Sequence, residues 1–151
     1  MADMRNPSDV TNDYWVWAAA PDHQSGERTG KWMVFVYSRD LDSTWSTIRD
    51  ATISGTLGVA AKAGTALDNP NAYNDATKLV CVYTRDCQEI EDIRRVLIEL
   101  RKLGISWRLA YKTDNATLSG EYGSGSSLYT SQPSTTTFGL TSVPKKQREE
   151  L

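Results

Sequence analysis

Two runs constrain the fold of this chain more than anything else in it. Lys31-Trp32-Met33-Val34-Phe35-Val36-Tyr37 and Lys78-Leu79-Val80-Cys81-Val82-Tyr83-Thr84 are built almost wholly of β-branched, aromatic and other apolar residues. Branched side chains crowd a helical turn but pack well on a pleated surface, so both runs predict strands. Shorter strands are expected at residues 14–18, ended by Pro21, and at residues 57–63, 105–112 and 118–122. Between them lie two helical patterns. Leu41, Trp45, Ile48 and Ala51 fall close to one helical face, with Gly55 as the stop. Asp86 followed by Glu89 has the spacing of a capping box, and Ile90, Ile93, Leu97 and Leu100 then form a stripe ending at Gly104. The order β-β-α-β-β-α-β-β gives two helices, enough to cover one face of a sheet. The expected class is an α+β two-layer sandwich whose other face is free to bind something.

A chain of 151 residues with 39% apolar content, five Trp and seven Tyr supports one packed core. Residues 1–12 read as a loose arm and residues 13–131 as the domain. After Gly123 the Ser/Thr-rich composition predicts that residues 132–151 form a low-complexity tail, with Phe138 and Leu140 as the residues able to dock. No run approaches the roughly 18 apolar residues of a membrane span, and no charged-then-apolar leader opens the sequence, so a cytoplasmic protein is expected. A net charge of −2 excludes coating of DNA by bulk positive charge. That total hides an uneven spread: residues 78–112 hold eight basic and five acidic side chains, flanked by acidic ends.

The usual catalytic sets are missing. His23 is the single histidine and sits in a polar loop. Cys81 reads as a buried free thiol, and Cys81, Cys87 and His23 fall short of the four ligands of a structural zinc site. Neither metal nor cofactor is therefore expected. The sequon Asn115-Ala116-Thr117 reads as chance without a secretory leader.

Strand alternation points to a different chemistry. Arg108, Ala110 and Lys112 alternate with Trp107, Leu109 and Tyr111, while Lys62 alternates with Ala61 and Ala63. Lys62, Arg108 and Lys112 can thus rise from one face among alanines, with Lys31 as a further member, and such a cluster suits a phosphate or carboxylate. Trp15 or Trp17, near a loop, would stack a planar group, whereas Trp45 and Trp107 read as core. The hydroxyls of Tyr111 and Tyr122 could orient a ligand or close the core. Arg94, Arg95, Arg101 and Lys102 have acidic neighbours at helical spacing and read as a solvated helix face.

Several segments in order carry a family resemblance. They are Gly30-Lys31-Trp32-Met33, Trp45 with Ile48, Gly55-Thr56-Leu57-Gly58 running into Ala61-Lys62, and Val80-Cys81-Val82-Tyr83-Thr84. Gly104-Ile105, Tyr111-Lys112-Thr113-Asp114, Gly120 with Tyr122, and Leu128-Tyr129 extend the match to roughly residues 30–131. The chain resembles the Bles-type, basophilic-leukaemia-expressed protein family. That resemblance implies a fold like the translation-initiation cap-binding protein: a curved antiparallel sheet, helices on one side, a concave ligand-binding face on the other. The tryptophan pair and following Glu that hold a methylated guanine in cap-binding proteins have no identifiable counterpart here.

The expected function is binding of a phosphorylated small molecule or nucleotide by a basic face. Lys62, Arg108 and Lys112 would hold phosphate, Lys31 and Tyr122 would line the site, and Trp15 or Trp17 would stack. Similarity to phosphothreonine lyases implies an alternative, with Lys31 or Lys62 as base, Arg108 and Lys112 on the phosphate and Tyr122 as acid. A third expectation is a protein-interaction module acting through the Ser/Thr-rich tail.

Overall fold

In the long run Gly30–Tyr37 (β2), alternation turns Trp32, Val34 and Val36 inward, leaving Lys31, Met33, Phe35 and Tyr37 on the opposite side. Its neighbour Thr77–Thr84 (β4) does the same with Val80 and Val82 against Leu79, Cys81 and Tyr83. The computed structural model describes residues 2–21, 28–67, 76–114 and 127–141. The remaining elements are strands Trp15–Ala19 (β1), Ala60–Gly64 (β3), Leu109–Thr113 (β5), Tyr129–Ser131 (β6) and Gly139–Leu140 (β7), with helices Leu41–Ile53 (α1) and Ile90–Lys102 (α2). The sheet has seven strands in the order β1-β3-β4-β2-β5-β6-β7, every pair antiparallel, and it is not closed into a barrel. The expected α+β architecture is present. His23, Asn115 and the expected strand at 118–122, which contains Tyr122, lie outside the described residues.

Both helices pack on one face. Leu41, Trp45 and Ile48 of α1 and Ile93, Val96, Leu97 and Leu100 of α2 share a core with Val16, Trp32, Val34, Ala61, Ala63, Val80, Val82, Leu109 and Tyr111. Burying such side chains contributes about 1.5–3 kcal/mol each, so this layer holds the sheet's shape. The Trp32 indole N–H donates to the Ile93 carbonyl at 3.1 Å, fixing α2 to the middle of the sheet. The Trp45 indole N–H is buried without a hydrogen-bond partner among the described residues.

One glycine of the segments that carry the resemblance has a geometric cause. A Cβ on Gly30 would lie 2.1 Å from the Tyr111 hydroxyl. That hydroxyl shares a 2.6 Å hydrogen bond with Thr84 Oγ1. Close approach across three strands thus requires glycine at the start of β2.

Four expectations are corrected. The stop of α2 at Gly104 holds, with φ +92°, but its start is not a capping box. Asp86 instead accepts from the Gln88 amide at 2.8 Å, Glu89 pairs with Arg85, and no side chain caps the first turn. Strand β5 begins only at Leu109, which leaves Trp107 outside the sheet and 37% exposed rather than in the core. The N-terminal arm is not loose: the Asp3 amide donates to the Trp17 carbonyl at 2.8 Å, Val10 is buried, and the Ser8 amide donates to Asp42 at 2.9 Å. The segment expected to be a tail supplies β7, and Phe138 packs edge-on against Trp32 with ring centres 5.7 Å apart. Leu140, by contrast, is exposed.

Candidate ligand-binding face

Strand register sets out the face away from the helices row by row. One row runs Trp17, Lys62, Cys81, Met33, Ala110 across β1, β3, β4, β2 and β5. The next runs Ala19, Ala60, Tyr83, Lys31, Lys112. Lys31, Lys62 and Lys112 therefore share a face, and Lys31 and Lys112 are direct cross-strand partners. Alanines at 19, 60 and 110 keep the surface between the long side chains low.

Lys62 is the centre of an aromatic cluster. Its ammonium lies 3.9 Å from the Trp15 ring centre, 5.3 Å from Trp17 and 6.0 Å from Tyr83. Trp17 and Tyr83 stack with centres 6.0 Å apart and planes 17° from parallel. Trp17 is 49% exposed, so its outer ring face is open to a ligand. Both tryptophans singled out from the sequence are thus beside the expected lysine.

The cations are not equivalent, and they do not form a simple solvated face. Lys31 and Lys112 are 5% and 2% exposed. The Lys31 ammonium pairs with Asp114 at 3.3 Å and lies 5.6 Å from the Tyr83 ring centre. Lys62 makes neither ion pair nor hydrogen bond among the described residues. Burial pushes its basicity below the ordinary lysine range; the neighbouring Lys31 charge acts in the same direction, while Cys81 and Asp114 oppose. Burial likewise pushes the Cys81 thiol up, against the attraction of Lys62, Lys31 and Lys112.

Arg108 is brought to a different place. It precedes β5 and lines a cavity of about 420 Å³ with Thr130, Gln132, Thr137, Phe138 and Thr141. Tyr111 faces the helix layer, bonded to Thr84, which removes it as a ligand contact. Tyr83 and Asp114 are site residues that the sequence reading passed over. The signal for Tyr83 was its two-residue spacing from Cys81, which puts it on the lysine side of β4. No group of three or more His, Cys, Asp or Glu is placed to hold a metal ion among the described residues, and no described helix is long and apolar enough to cross a membrane.

Residues 16–118 match the model of the basophilic leukemia-expressed protein Bles03 family. The chain belongs to that family. The match spans β1 to β5 and so takes in Trp17, Lys31, Lys62, Tyr83, Lys112 and Asp114 together. No curated protein matches the chain. Among solved structures it is similar to Ascaris suum eIF4E-3 in complex with the m2,2,7G cap, at 17% identity and a TM-score of 0.46, covering 65% of this chain and 61% of that one. A complex of the same protein with the m7G cap is similar at 18% identity and TM-score 0.46, over 66% and 61%. The chain spans about three-fifths of the length of those structures.

Proposed function

We propose that the face away from the helices binds a small phosphorylated molecule of the nucleotide class. The observation that carries this reading is the clustering of Lys62 with Trp15, Trp17 and Tyr83 beside the buried pair Lys31 and Lys112. A phosphate would meet the Lys62 ammonium, which has no carboxylate partner among the described residues. Lys112 and Lys31, the latter paired with Asp114, lie buried beside it, where water screens charge little. A planar ring would lie on the open side of Trp17, a contact worth about 1–3 kcal/mol. Arg108 is outside this reading because it lines another cavity, and Tyr122 forms no part of its support.

Thermal melting against a panel of nucleotides and phosphorylated metabolites tests it. A ligand present at a hundred times its Kd adds about 2.7 kcal/mol to stability, and Lys62→Ala and Trp17→Ala should each lose that gain. A flat panel, or a gain undiminished in both variants, contradicts the proposal.

A further inference from the structure

The same geometry points to a chemical role for Lys62: we infer that it is an imine-forming amine that condenses with an aldehyde or ketone on this face. The inference shares the proposed site but stands whether or not the ligand carries phosphate.

A lysine attacks a carbonyl only as the neutral amine, so its surroundings decide its reactivity. Lys31 illustrates the unreactive case: its ammonium is held by Asp114 at 3.3 Å and is 5% exposed. Lys62, two strands across the sheet, has no such partner among the described residues. Three rings stand around its nitrogen at 3.9, 5.3 and 6.0 Å, and the cross-strand neighbours on its row are Trp17 and Cys81. A lysine desolvated among apolar rings is one arrangement that activates an amine. The aromatic rings work against this by favouring the ammonium, while taking the ammonium out of water works for it, and burial is the largest influence on this lysine.

Among the described residues, the titratable groups facing Lys62 can be placed. From β4 come Cys81 and Tyr83; from β2, Lys31; from β5, Lys112; and just beyond β5, Asp114, already engaged by Lys31. The thiol is held neutral by burial. Burial and Lys31 press the Lys62 proton off, and the engaged Asp114 opposes them from further away. Strand β1 adds only the two tryptophans.

The step balances without an oxidant or cofactor. Lys62 first gives one ammonium proton to solvent. Its lone pair then forms a bond to the carbonyl carbon, the C=O π pair moves to oxygen, and proton transfer from nitrogen to oxygen gives a carbinolamine. Loss of water, taking the hydroxyl and the last nitrogen proton, leaves the C=N bond. The rings shed water from around that bond, and the exposed edge at Trp17 admits the carbonyl compound.

The test uses the full chain, pyridoxal as probe, and cyanoborohydride to trap the imine, followed by peptide mapping. Lys102, exposed on α2, is the internal comparison. At pH 7 Lys62 should be labelled faster than Lys102, since a lowered pKa leaves more of the amine neutral. Its rate should also level off at lower pH. In urea the two should react alike, and Lys62→Arg should remove the fast adduct while leaving the Lys102 rate unchanged. A Lys62 rate at or below that of Lys102 in the folded chain overturns the inference. A second arm with pyridoxal 5′-phosphate separates the two proposals. Fast labelling by pyridoxal with no gain from the phosphate sustains the imine and counts against the phosphate site. Labelling only by the phosphate form overturns intrinsic activation and favours the phosphate site.

Discussion

The Lys62 ammonium rests 3.9 Å from the centre of the Trp15 ring, and Trp17, its cross-strand partner, contributes a second ring at 5.3 Å. Lysine and tryptophans come from neighbouring strands, so the contact depends on the register of β1 against β3. A one-residue slip would send Lys62 into the helix layer and Ala61 or Ala63 outward. The proposed ligand face and the core are therefore fixed by the same pairing.

Gly30→Ala should destabilise the protein by about 2–4 kcal/mol, from overpacking and loss of a buried hydrogen bond. The added methyl would lie 2.1 Å from the Tyr111 hydroxyl and must displace it from Thr84. Urea unfolding checks this. Pairing the change with Tyr111→Phe, which removes the clashing oxygen, should recover part of the loss.

Trp32→Phe should cost more than Trp45→Phe, although both residues are fully buried. Trp32 loses its bond to the Ile93 carbonyl and its edge contacts with Tyr111 and Phe138. Trp45 loses only packing, since its N–H has no partner among the described residues to forfeit. The expected gap is about 1–2 kcal/mol, read from the two melting curves.

Arg101 ties the far end of the sheet to α2. Its guanidinium donates to the carbonyls of Ile105, Trp107, Gln132 and Thr135 at 2.6–2.9 Å, and to Ser131 Oγ at 3.1 Å. Arg101→Ala should therefore speed amide hydrogen exchange in β6 and β7 selectively, with β2 and β4 keeping their protection. Uniform loss of protection across the sheet would contradict this role.

Stability should fall in alkali through Tyr111 and Cys81. Burial raises both groups above their ordinary values of 10.0 and 9.0. The unfolded chain then loses protons that the folded chain keeps, so their stabilising contribution is complete below about pH 9 and declines above it. Lys62 works oppositely, because its lowered basicity makes the unfolded chain the proton-richer state below 10.5. In Tyr111→Phe the decline above pH 10 should be shallower than in wild type, measured by urea unfolding from pH 8 to 11.

Much of this was legible in the sequence, for identifiable reasons. The period of two in β2 and β4 and the stripes of α1 and α2 reflect local geometry, which a sequence records directly. The shared side of Lys62, Lys112 and the alanines followed from the same alternation. Strand order did not, since placing β4 between β3 and β2 depends on long-range pairing. Nor could alternation reveal that Lys31 and Lys112 would be buried, or that Lys31 would find Asp114. Arg108 left the cluster because β5 starts after it. Phe138 stood out as able to dock, but its Ser/Thr-rich surroundings hid the strand β7 that follows it.

The most direct measurement is an amide and indole NMR titration with whichever panel nucleotide raises the melting temperature most. The account predicts shifts at the Trp15 and Trp17 indoles and at the amides of Lys62, Tyr83 and Lys112, with Thr130 and Thr141 by the Arg108 cavity unmoved. Shifts confined to Thr130, Thr141 and Arg108, with the indoles still, would contradict it.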